Sequence, residues 1–265
     1  MTIQDIECYV LDMDGTIYLG DQVIPGAKEL LSFFDEKGIR YCFFTNNSSR
    51  SPEDYIAKLK RLGLCEQPVV YTSGDVTADY LIKNFGPHPR AYVVGTQALL
   101  NQLSAVGIDC GETPSPSCVV VGFDTSFEFS KATRAVELLR EGIPFIAANV
   151  DAVCPLEGGK VLPDCASICA MLTHATGRHP KFVGKPFAET AEYIERAVNL
   201  PAGKIAVIGD RLYTDMQLAL ENGMCAIGVL SGEMTRQDIK SSAKKPHYLF
   251  DSVADLCGFL KEQLN

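Results

Sequence analysis

Two aspartates separated by one residue follow an apolar run near the start of the chain. The run Cys8–Leu11 predicts a short buried strand, and DMDGT at residues 12–16 comes directly after it. Gly15 permits a sharp turn at this point. Mg²⁺ prefers oxygen ligands and usually takes one or two carboxylates together with a phosphate. The stretch therefore predicts a metal-assisted site with an aspartate as nucleophile, and the alternative is an ordinary turn built on Asp and Gly.

A second polar stretch follows another apolar run. Thr45, Asn46 and Asn47 come directly after Tyr-Cys-Phe-Phe at residues 41–44. Hydroxyl, amide and exposed backbone N–H groups can hold phosphate oxygens. We therefore interpret this stretch as a candidate phosphate-binding segment, with a polar loop after a strand as the alternative.

Two later stretches complete the set. Lys185, between Gly184 and a proline, is a candidate point charge for a phosphate, although most lysines only solvate a surface. Asp210 follows Gly209 at the end of the apolar run 205–208, just as Asp12 follows the first apolar run. Asp210 is therefore a better candidate than Asp215 for the second carboxylate that binds the metal. Asp215 lies near the start of the next helix, where it either orients the metal ligands or caps the helix.

The elements that must position these side chains alternate between strand and helix. Because such alternation is typical of parallel sheets, we predict an α/β fold. In open α/β sheets ligands collect beyond the carboxyl ends of the strands, so the four stretches are expected to converge. The predicted strands cover residues 8–11, 40–44, 69–71, 91–94, 118–121, 145–147, 205–208 and 225–229.

The number of predicted strands is large for one compact sheet. Proline-containing segments at 87–89 and 179–181 are candidate hinges, because proline interrupts regular structure. Between them lie further strands and helices. We therefore predict a core domain made of 1–79 and 182–265, with 80–181 inserted as a second α/β domain.

Composition limits the functional classes. With a net charge of −9, the 265-residue chain shows no basic patch of the kind that nucleic-acid binding requires. No apolar run approaches the roughly 20 residues of a membrane span, and we expect no signal peptide. The 10 cysteines are scattered, which favours free thiols in a reducing cytosol over a disulfide framework.

Taken in order, the polar stretches resemble a known family. DMDGT at 12–16, TNN at 45–47, GKP at 184–186 and GDRLYTD at 209–215 resemble the motifs of the haloacid-dehalogenase-like phosphatases. More narrowly, the chain resembles the NagD-like (para-nitrophenylphosphatase-like) subfamily. Supporting stretches are TIY at 16–18, PGA at 25–27, FTNNSSR at 44–50, VVGFD at 120–124 and ATG at 175–177.

The resemblance implies a Rossmann-like, doubly wound parallel-sheet core with a large α/β cap inserted after the second motif. It implies a cytoplasmic, Mg²⁺-dependent phosphatase for small soluble phosphomonoesters such as sugar phosphates or nucleoside monophosphates. Relatives often pair through the cap, so a homodimer is one expected assembly. The stretch PDCAS at 163–167 departs from the glycine-containing turn of similar proteins, so cap specificity is not carried over.

Residue roles are also implied by the resemblance. Asp12 would attack phosphorus and form an aspartyl-phosphate, while Asp14 would protonate the leaving oxygen and later activate water. The metal ligands would be Asp12, the Asp14 backbone carbonyl and Asp210. The phosphate-binding residues would be Thr45, Asn46, Asn47 and Lys185.

Competing functions share parts of this pattern. A dehalogenase would need neither the Asp14 acid nor a metal site. A phosphomutase, or a phosphate-binding protein without turnover, would keep the motifs and stays open as an alternative. A nicotinamide-binding protein is disfavoured, because no Gly-x-Gly-x-x-Gly turn follows the first strand.

Overall fold

A computed structural model describes residues 2–111 and 113–264. The chain forms two compact units. The first comprises Met1–Thr45, Glu53–Tyr71 and Thr190–Asn265, and the second comprises Asn46–Pro52 and Thr72–Glu189.

The predicted domain limits differ from these units by a few residues. Residues 46–52, 72–79 and 182–189 fall in the second unit, whereas the sequence-based limits assign them to the core domain. The assignment of a core and an inserted domain stays a proposal.

All eight predicted strands are confirmed to within one residue at either end. The strands that were not predicted are only two or three residues long, too short for a periodic pattern to reveal. In chain order the strands are β1 (Cys8–Leu11), β2 (Tyr18–Leu19), β3 (Gln22–Val23), β4 (Arg40–Thr45), β5 (Val70–Thr72), β6 (Ala91–Val94), β7 (Cys118–Val121), β8 (Phe145–Ala147), β9 (Val153–Pro155), β10 (Val161–Pro163), β11 (Lys181–Phe182), β12 (Ile205–Gly209), β13 (Cys225–Val229) and β14 (Tyr248–Phe250).

Helices connect most of the strands. A π-helical turn at Leu212–Met216 leads directly into the helix Gln217–Glu221. The helices are α1 (Ala27–Lys37), α2 (Pro52–Arg61), α3 (Ser73–Phe85), α4 (Gln97–Ala105), α5 (Phe129–Arg140), α6 (Cys165–Thr176), α7 (Ala188–Val198), α8 (Gln217–Glu221), α9 (Arg236–Ser241) and α10 (Val253–Gln263).

The first unit is built on a six-stranded sheet in the order β14-β13-β12-β1-β4-β5. β1 pairs in parallel with β12 on one side and with β4 on the other, so that Leu11 lies opposite both Ile208 and Phe43. Every residue of β1, β12 and β13 is buried, as expected for strands covered on both faces. This arrangement confirms the α/β prediction, and it brings the carboxyl ends of β1, β12 and β4 to one edge.

An apolar core holds α1 and α10 against this sheet. Tyr9 of β1 stacks on Phe34 of α1 with ring centroids 4.8 Å apart, and Leu260 of α10 belongs to the same buried cluster. Because this packing fixes β1, it also fixes the residue that follows β1 at the sheet edge.

The second unit has its own sheet and core. Its four strands run in the order β11-β8-β7-β6 with parallel pairing, and β7 is completely buried. Helices α5 and α6 contribute buried residues to the core cluster of this sheet. A separate antiparallel hairpin of β9 and β10 consists mainly of exposed residues. None of the helices in the described part of the chain combines the length and apolarity needed to cross a membrane.

Candidate active site

Three aspartates meet at the carboxyl edge of the first unit's sheet. Asp12 follows β1, Asp210 follows β12, and Asp215 lies in the π-helical turn after β12. One carboxylate oxygen of each lies within 4.8 Å of those of the other two. The exposed fractions are 9% for Asp12, 2% for Asp210 and 0% for Asp215. Because β1 and β12 are parallel neighbours, residues more than 190 positions apart end at the same place.

Asp210 is held from three directions. Its Oδ1 accepts a hydrogen bond from Thr16 Oγ1 at 3.1 Å, and its Oδ2 accepts one from the Glu233 N–H at 2.8 Å. The Met234 N–H donates to the Asp210 carbonyl at 2.8 Å. Burial, followed by the charge of Asp215, raises the pKa of Asp210 to about 6, although the bonds from Glu233 and Thr16 act in the opposite direction.

Glycines allow the backbone to approach these carboxylates closely. A Cβ atom on Gly232 would lie 1.9 Å from Asp210 Oδ2, and one on Gly15 would lie 2.4 Å from the same oxygen. Gly15 also adopts a φ of +87°, which side chains strongly disfavour. A larger residue at either position would displace Asp210.

The segment Ser231–Met234 is a part of the site that sequence reasoning missed. Ser231 Oγ donates to the Gly15 carbonyl at 2.8 Å, so this segment touches the turn after Asp12 as well as Asp210. The available signal was its position, because Ser231, Gly232 and Glu233 come shortly after the apolar strand β13, at the same sheet edge.

The donor set fits a magnesium ion. Three carboxylates lie close together at a nearly buried position, and hydrogen bonds from Thr16 and Glu233 hold one of them, Asp210, in place. Hard divalent cations select such oxygen ligands. Asp215, whose predicted role was to orient ligands or cap a helix, accepts a hydrogen bond from the Arg211 N–H at 3.2 Å and still presents an oxygen to the cluster.

Asp14 and Thr45 lie at the same edge of the sheet as the cluster. Asp14 is half-buried in a tight turn, in which the Gly15 N–H donates to the Tyr18 carbonyl at 2.8 Å. Among the residues that the structure describes, the acidic cluster does not include the Asp14 carboxylate. Thr45 is the last residue of β4, the neighbour of β1, and is buried.

The remaining predicted site residues belong to the second unit. Lys185 is 3% exposed, and its backbone is bonded on both sides by the Asn46 side chain, which accepts the Lys185 N–H at 2.8 Å and donates to the Lys185 carbonyl at 3.0 Å. A Cβ on Gly184 would lie 2.4 Å from the Ala148 carbonyl oxygen, so only glycine allows this approach. Asn47 Oδ1 accepts hydrogen bonds from the Ser49 N–H at 2.9 Å and the Ser49 hydroxyl at 2.7 Å.

Residues 149–151 of the second unit form a turn in which the side chains of Asn149 and Asp151 are buried. Asn149 Oδ1 accepts the Asp151 N–H at 2.9 Å, which is a side-chain-stabilised turn. Asp151 Oδ2 accepts a hydrogen bond from Asn46 Nδ2 at 2.9 Å. Both side chains therefore serve an internal network of the second unit.

Comparisons with known proteins identify relatives of the whole chain. A family model described as haloacid dehalogenase-like hydrolase matches residues 9–109, and a second, described as HAD-hydrolase-like, matches residues 182–256. An acid sugar phosphatase from Staphylococcus aureus is 30% identical over 259 residues, which cover 96% of this chain and 99% of that protein.

Solved structures agree with this. A 4-nitrophenylphosphatase from Thermotoga maritima superposes with a TM-score of 0.90 at 38% identity, covering 96% of this chain and 97% of that one. A putative NagD protein superposes with a TM-score of 0.91 at 36% identity, and the match covers 97% of this chain and 100% of that one. A glycerol phosphate phosphatase from Mycobacterium tuberculosis, in complex with magnesium, superposes with a TM-score of 0.87 at 32% identity. This match covers 96% of this chain and 77% of that one. The Rossmann-like fold prediction is confirmed.

Proposed function

The chain belongs to the haloacid dehalogenase-like hydrolases, in their NagD-like subfamily, and we propose that it hydrolyses small phosphomonoesters with Asp12 as the nucleophile. It is a phosphoric monoester hydrolase, and phosphatases of this family use Mg²⁺. The observation that carries the proposed site is the cluster of three buried carboxylates, in which Asp12 is the most exposed member.

The proposed reaction has two steps. An oxygen of Asp12 forms a bond to phosphorus while the bond to the leaving oxygen breaks, and Asp14 gives that oxygen its proton. Water then attacks the aspartyl-phosphate, Asp14 takes a proton from it, and inorganic phosphate leaves with Asp12 restored. The geometry of the turn supports this division, because the Asp14 carboxylate stands outside the acidic cluster that Asp12 belongs to.

The proposed metal ligands are Asp12, the Asp14 carbonyl and Asp210, with Asp215 as a neighbouring carboxylate. When bound, Mg²⁺ supplies positive charge that lets an anionic nucleophile approach an anionic ester. We assign the phosphate oxygens to Thr45, the backbone N–H groups of the 46–47 segment and Lys185. Thr45 offers a hydroxyl, and Lys185 offers a fixed positive charge for the transition state.

The substrate class follows from the relatives named above, which are phosphatases of sugar phosphate, glycerol phosphate and an aryl phosphate. We propose small soluble phosphomonoesters such as sugar phosphates or nucleoside monophosphates. These names favour hydrolysis over the alternatives of a phosphomutase or a phosphate-binding protein without turnover.

The test is phosphate release from a panel of phosphomonoesters with Mg²⁺ and with EDTA, for the wild type and Asp12→Asn. We expect turnover to require Mg²⁺ and to fall by about 10⁴-fold or more in Asp12→Asn, because no nucleophile remains. Asp251→Asn is the matched control, since Asp251 is exposed and forms an ion pair with Arg236, which is also exposed. Undiminished turnover in Asp12→Asn would exclude the nucleophile assignment.

Assembly and location are proposed on separate grounds. The β9–β10 hairpin exposes Val153, Leu156, Val161 and Leu162, with 42%, 41%, 55% and 39% of their surface accessible. Such an apolar patch supports a homodimer formed through the second unit, which light scattering would detect. None of the 10 cysteines, all of which the structure describes, forms a disulfide, and this supports the reducing cytoplasm as the location.

A further inference from the structure

We propose that Asn46 is a positioning residue that acts through Lys185, and that Asp151 fixes the orientation in which it does so. The inference rests on the proposed function, in which Lys185 binds the phosphate. It differs from the sequence-based expectation, in which Asn46 itself belongs to the phosphate-binding residues.

The first step concerns the hydrogen-bonding capacity of the Asn46 amide. Its Nδ2 donates to Asp151 Oδ2 at 2.9 Å and to the Lys185 carbonyl at 3.0 Å. An amide nitrogen has two N–H groups, so both donors are in use. A phosphate oxygen needs a donor. The Asn46 side chain therefore has none to offer it while this network stands.

The second step concerns what the amide does to Lys185. Asn46 Oδ1 accepts the Lys185 N–H at 2.8 Å, while Nδ2 donates to the carbonyl of the same residue. The side chain thus mimics a neighbouring strand and fixes both polar groups of one residue. A lysine side chain is flexible and loses conformational entropy when it binds an anion. Because the Lys185 backbone is already fixed, part of that entropy cost is removed.

The third step concerns the orientation of the amide. An asparagine amide can be turned over, which would exchange its donor and its acceptor. An ionised carboxylate only accepts hydrogen bonds, so Asp151 selects the orientation with Nδ2 toward itself. Oδ1 then faces the Lys185 N–H. Asp151 is 2% exposed, and it is held in turn by Asn149 and by the Ala166 N–H, which donates to its carbonyl at 3.0 Å.

The Asn46 backbone is fixed independently of its side chain. Its carbonyl accepts hydrogen bonds from Ser73 Oγ at 2.6 Å and from Asn149 Nδ2 at 2.8 Å. Truncation of the side chain leaves both bonds in place. Substitution at Asn46 therefore tests the amide rather than the path of the chain.

The experiment is a double-mutant cycle with 4-nitrophenyl phosphate as the probe. We expect Lys185→Met to lower kcat/KM by about 10²–10³-fold and Asn46→Ala by about 10-fold to 10²-fold. If Asn46 acts through Lys185, the double variant matches Lys185→Met within about twofold. If the two losses multiply, Asn46 contacts the phosphate itself and the proposal is overturned.

A variant in which Asn46 and Asp151 are exchanged tests the role of Asp151. It also keeps the proposal testable if Asn46→Ala does not fold. Asn46→Asp places a second carboxylate within hydrogen-bonding distance of Asp151, so kcat/KM should fall by about 10²-fold. Adding Asp151→Asn restores a donor–acceptor pair and should recover at least about fivefold of that loss. No recovery in a folded swapped variant would overturn the role given to Asp151.

Two further readouts separate this proposal from the proposed function. Asn101→Ala, an exposed asparagine on α4 of the same unit, should keep wild-type kinetics. Near-ultraviolet circular dichroism establishes that each variant is folded. If Lys185→Met keeps the wild-type kcat/KM, the proposed role of Lys185 fails. If Lys185→Met is impaired and the losses multiply, only the role of Asn46 fails.

Discussion

The acidic cluster of the first unit and the amide network of the second are both nearly inaccessible to water, but their polar groups are satisfied differently. In the cluster, Asp12, Asp210 and Asp215 bring three carboxylates together. In the network, Asn46 meets one carboxylate, one carbonyl and one N–H with matching donors and acceptors. A group of like charges favours a bound cation, whereas donors and acceptors that match one another stabilise a fixed arrangement of the chain. The first arrangement is suited to binding, and the second to holding the chain in place.

Outside the proposed catalytic and phosphate-binding residues, the largest effect is expected where the cluster is packed most tightly. In Gly232→Ala a new Cβ would meet Asp210 Oδ2 at 1.9 Å, so the carboxylate must move away from the metal position. We expect Mg²⁺-dependent kcat/KM to fall by about 10²-fold. The apparent Mg²⁺ affinity, measured by calorimetry, should weaken by about tenfold or more.

The chain offers a matched control for this substitution. A Cβ on Gly258 in α10 meets nothing within 4 Å. Gly258→Ala should keep Mg²⁺ affinity and raise the free energy of unfolding by about 0.5–1 kcal/mol, because alanine favours a helix. Equal Mg²⁺ affinity in Gly232→Ala and Gly258→Ala would contradict the contact with Asp210.

An intermediate effect is expected from pH in the absence of metal. The pKa of Asp210 rises from 3.8 to about 6 on folding, chiefly through burial, so the folded protein binds more protons between these values. Stability in EDTA should therefore fall as pH rises through this window, by about 1 kcal/mol per pH unit.

The measurement is the free energy of unfolding in EDTA between pH 4 and pH 7 for the wild type, Asp210→Asn and Asp251→Asn. Asp210→Asn should lose the fall, and Asp251→Asn should keep it. Saturating Mg²⁺ should reverse the fall in the wild type, because the cation binds the ionised carboxylates of the folded state. A wild type that gains stability over this window in EDTA would contradict the cost assigned to the buried charge.

The smallest effect is expected at a buried hydroxyl outside both regions. Tyr9 is 0% exposed, and its hydroxyl has no hydrogen-bond partner among the described residues. Tyr9→Phe should therefore leave the free energy of unfolding unchanged or raise it by about 1 kcal/mol, as urea denaturation would show. In contrast, Asn46→Ala leaves partners unsatisfied and should lower it. A loss of more than about 1 kcal/mol in Tyr9→Phe would show that the hydroxyl does bond in the folded state.

The sequence predicted the first unit's cluster better than the second unit's network. Asp12 and Asp210 were recognised because each ends an apolar strand, and parallel strands carry such residues to one edge. The contact of Asn46 with Lys185 joins residues 139 positions apart and leaves no local pattern. Ser231–Met234 was not predicted, because it contacts the site through two backbone N–H groups and one serine hydroxyl, which leave no distinctive motif. The β9–β10 hairpin was not predicted because its strands are too short for a periodic signal.

The short segment Asn46–Pro52 has a consequence for anyone who wishes to exchange substrate preferences by making chimeras. Ser48 Oγ accepts the Phe123 N–H at 2.9 Å, and Thr96 Oγ1 donates to the Ser49 carbonyl at 2.9 Å. A transplant of Thr72–Glu189 alone would leave these partners, and Asn46, behind in the host. A working graft should therefore carry both pieces of the second unit, although seven of its residues follow β4 directly and end at the first residue of α2.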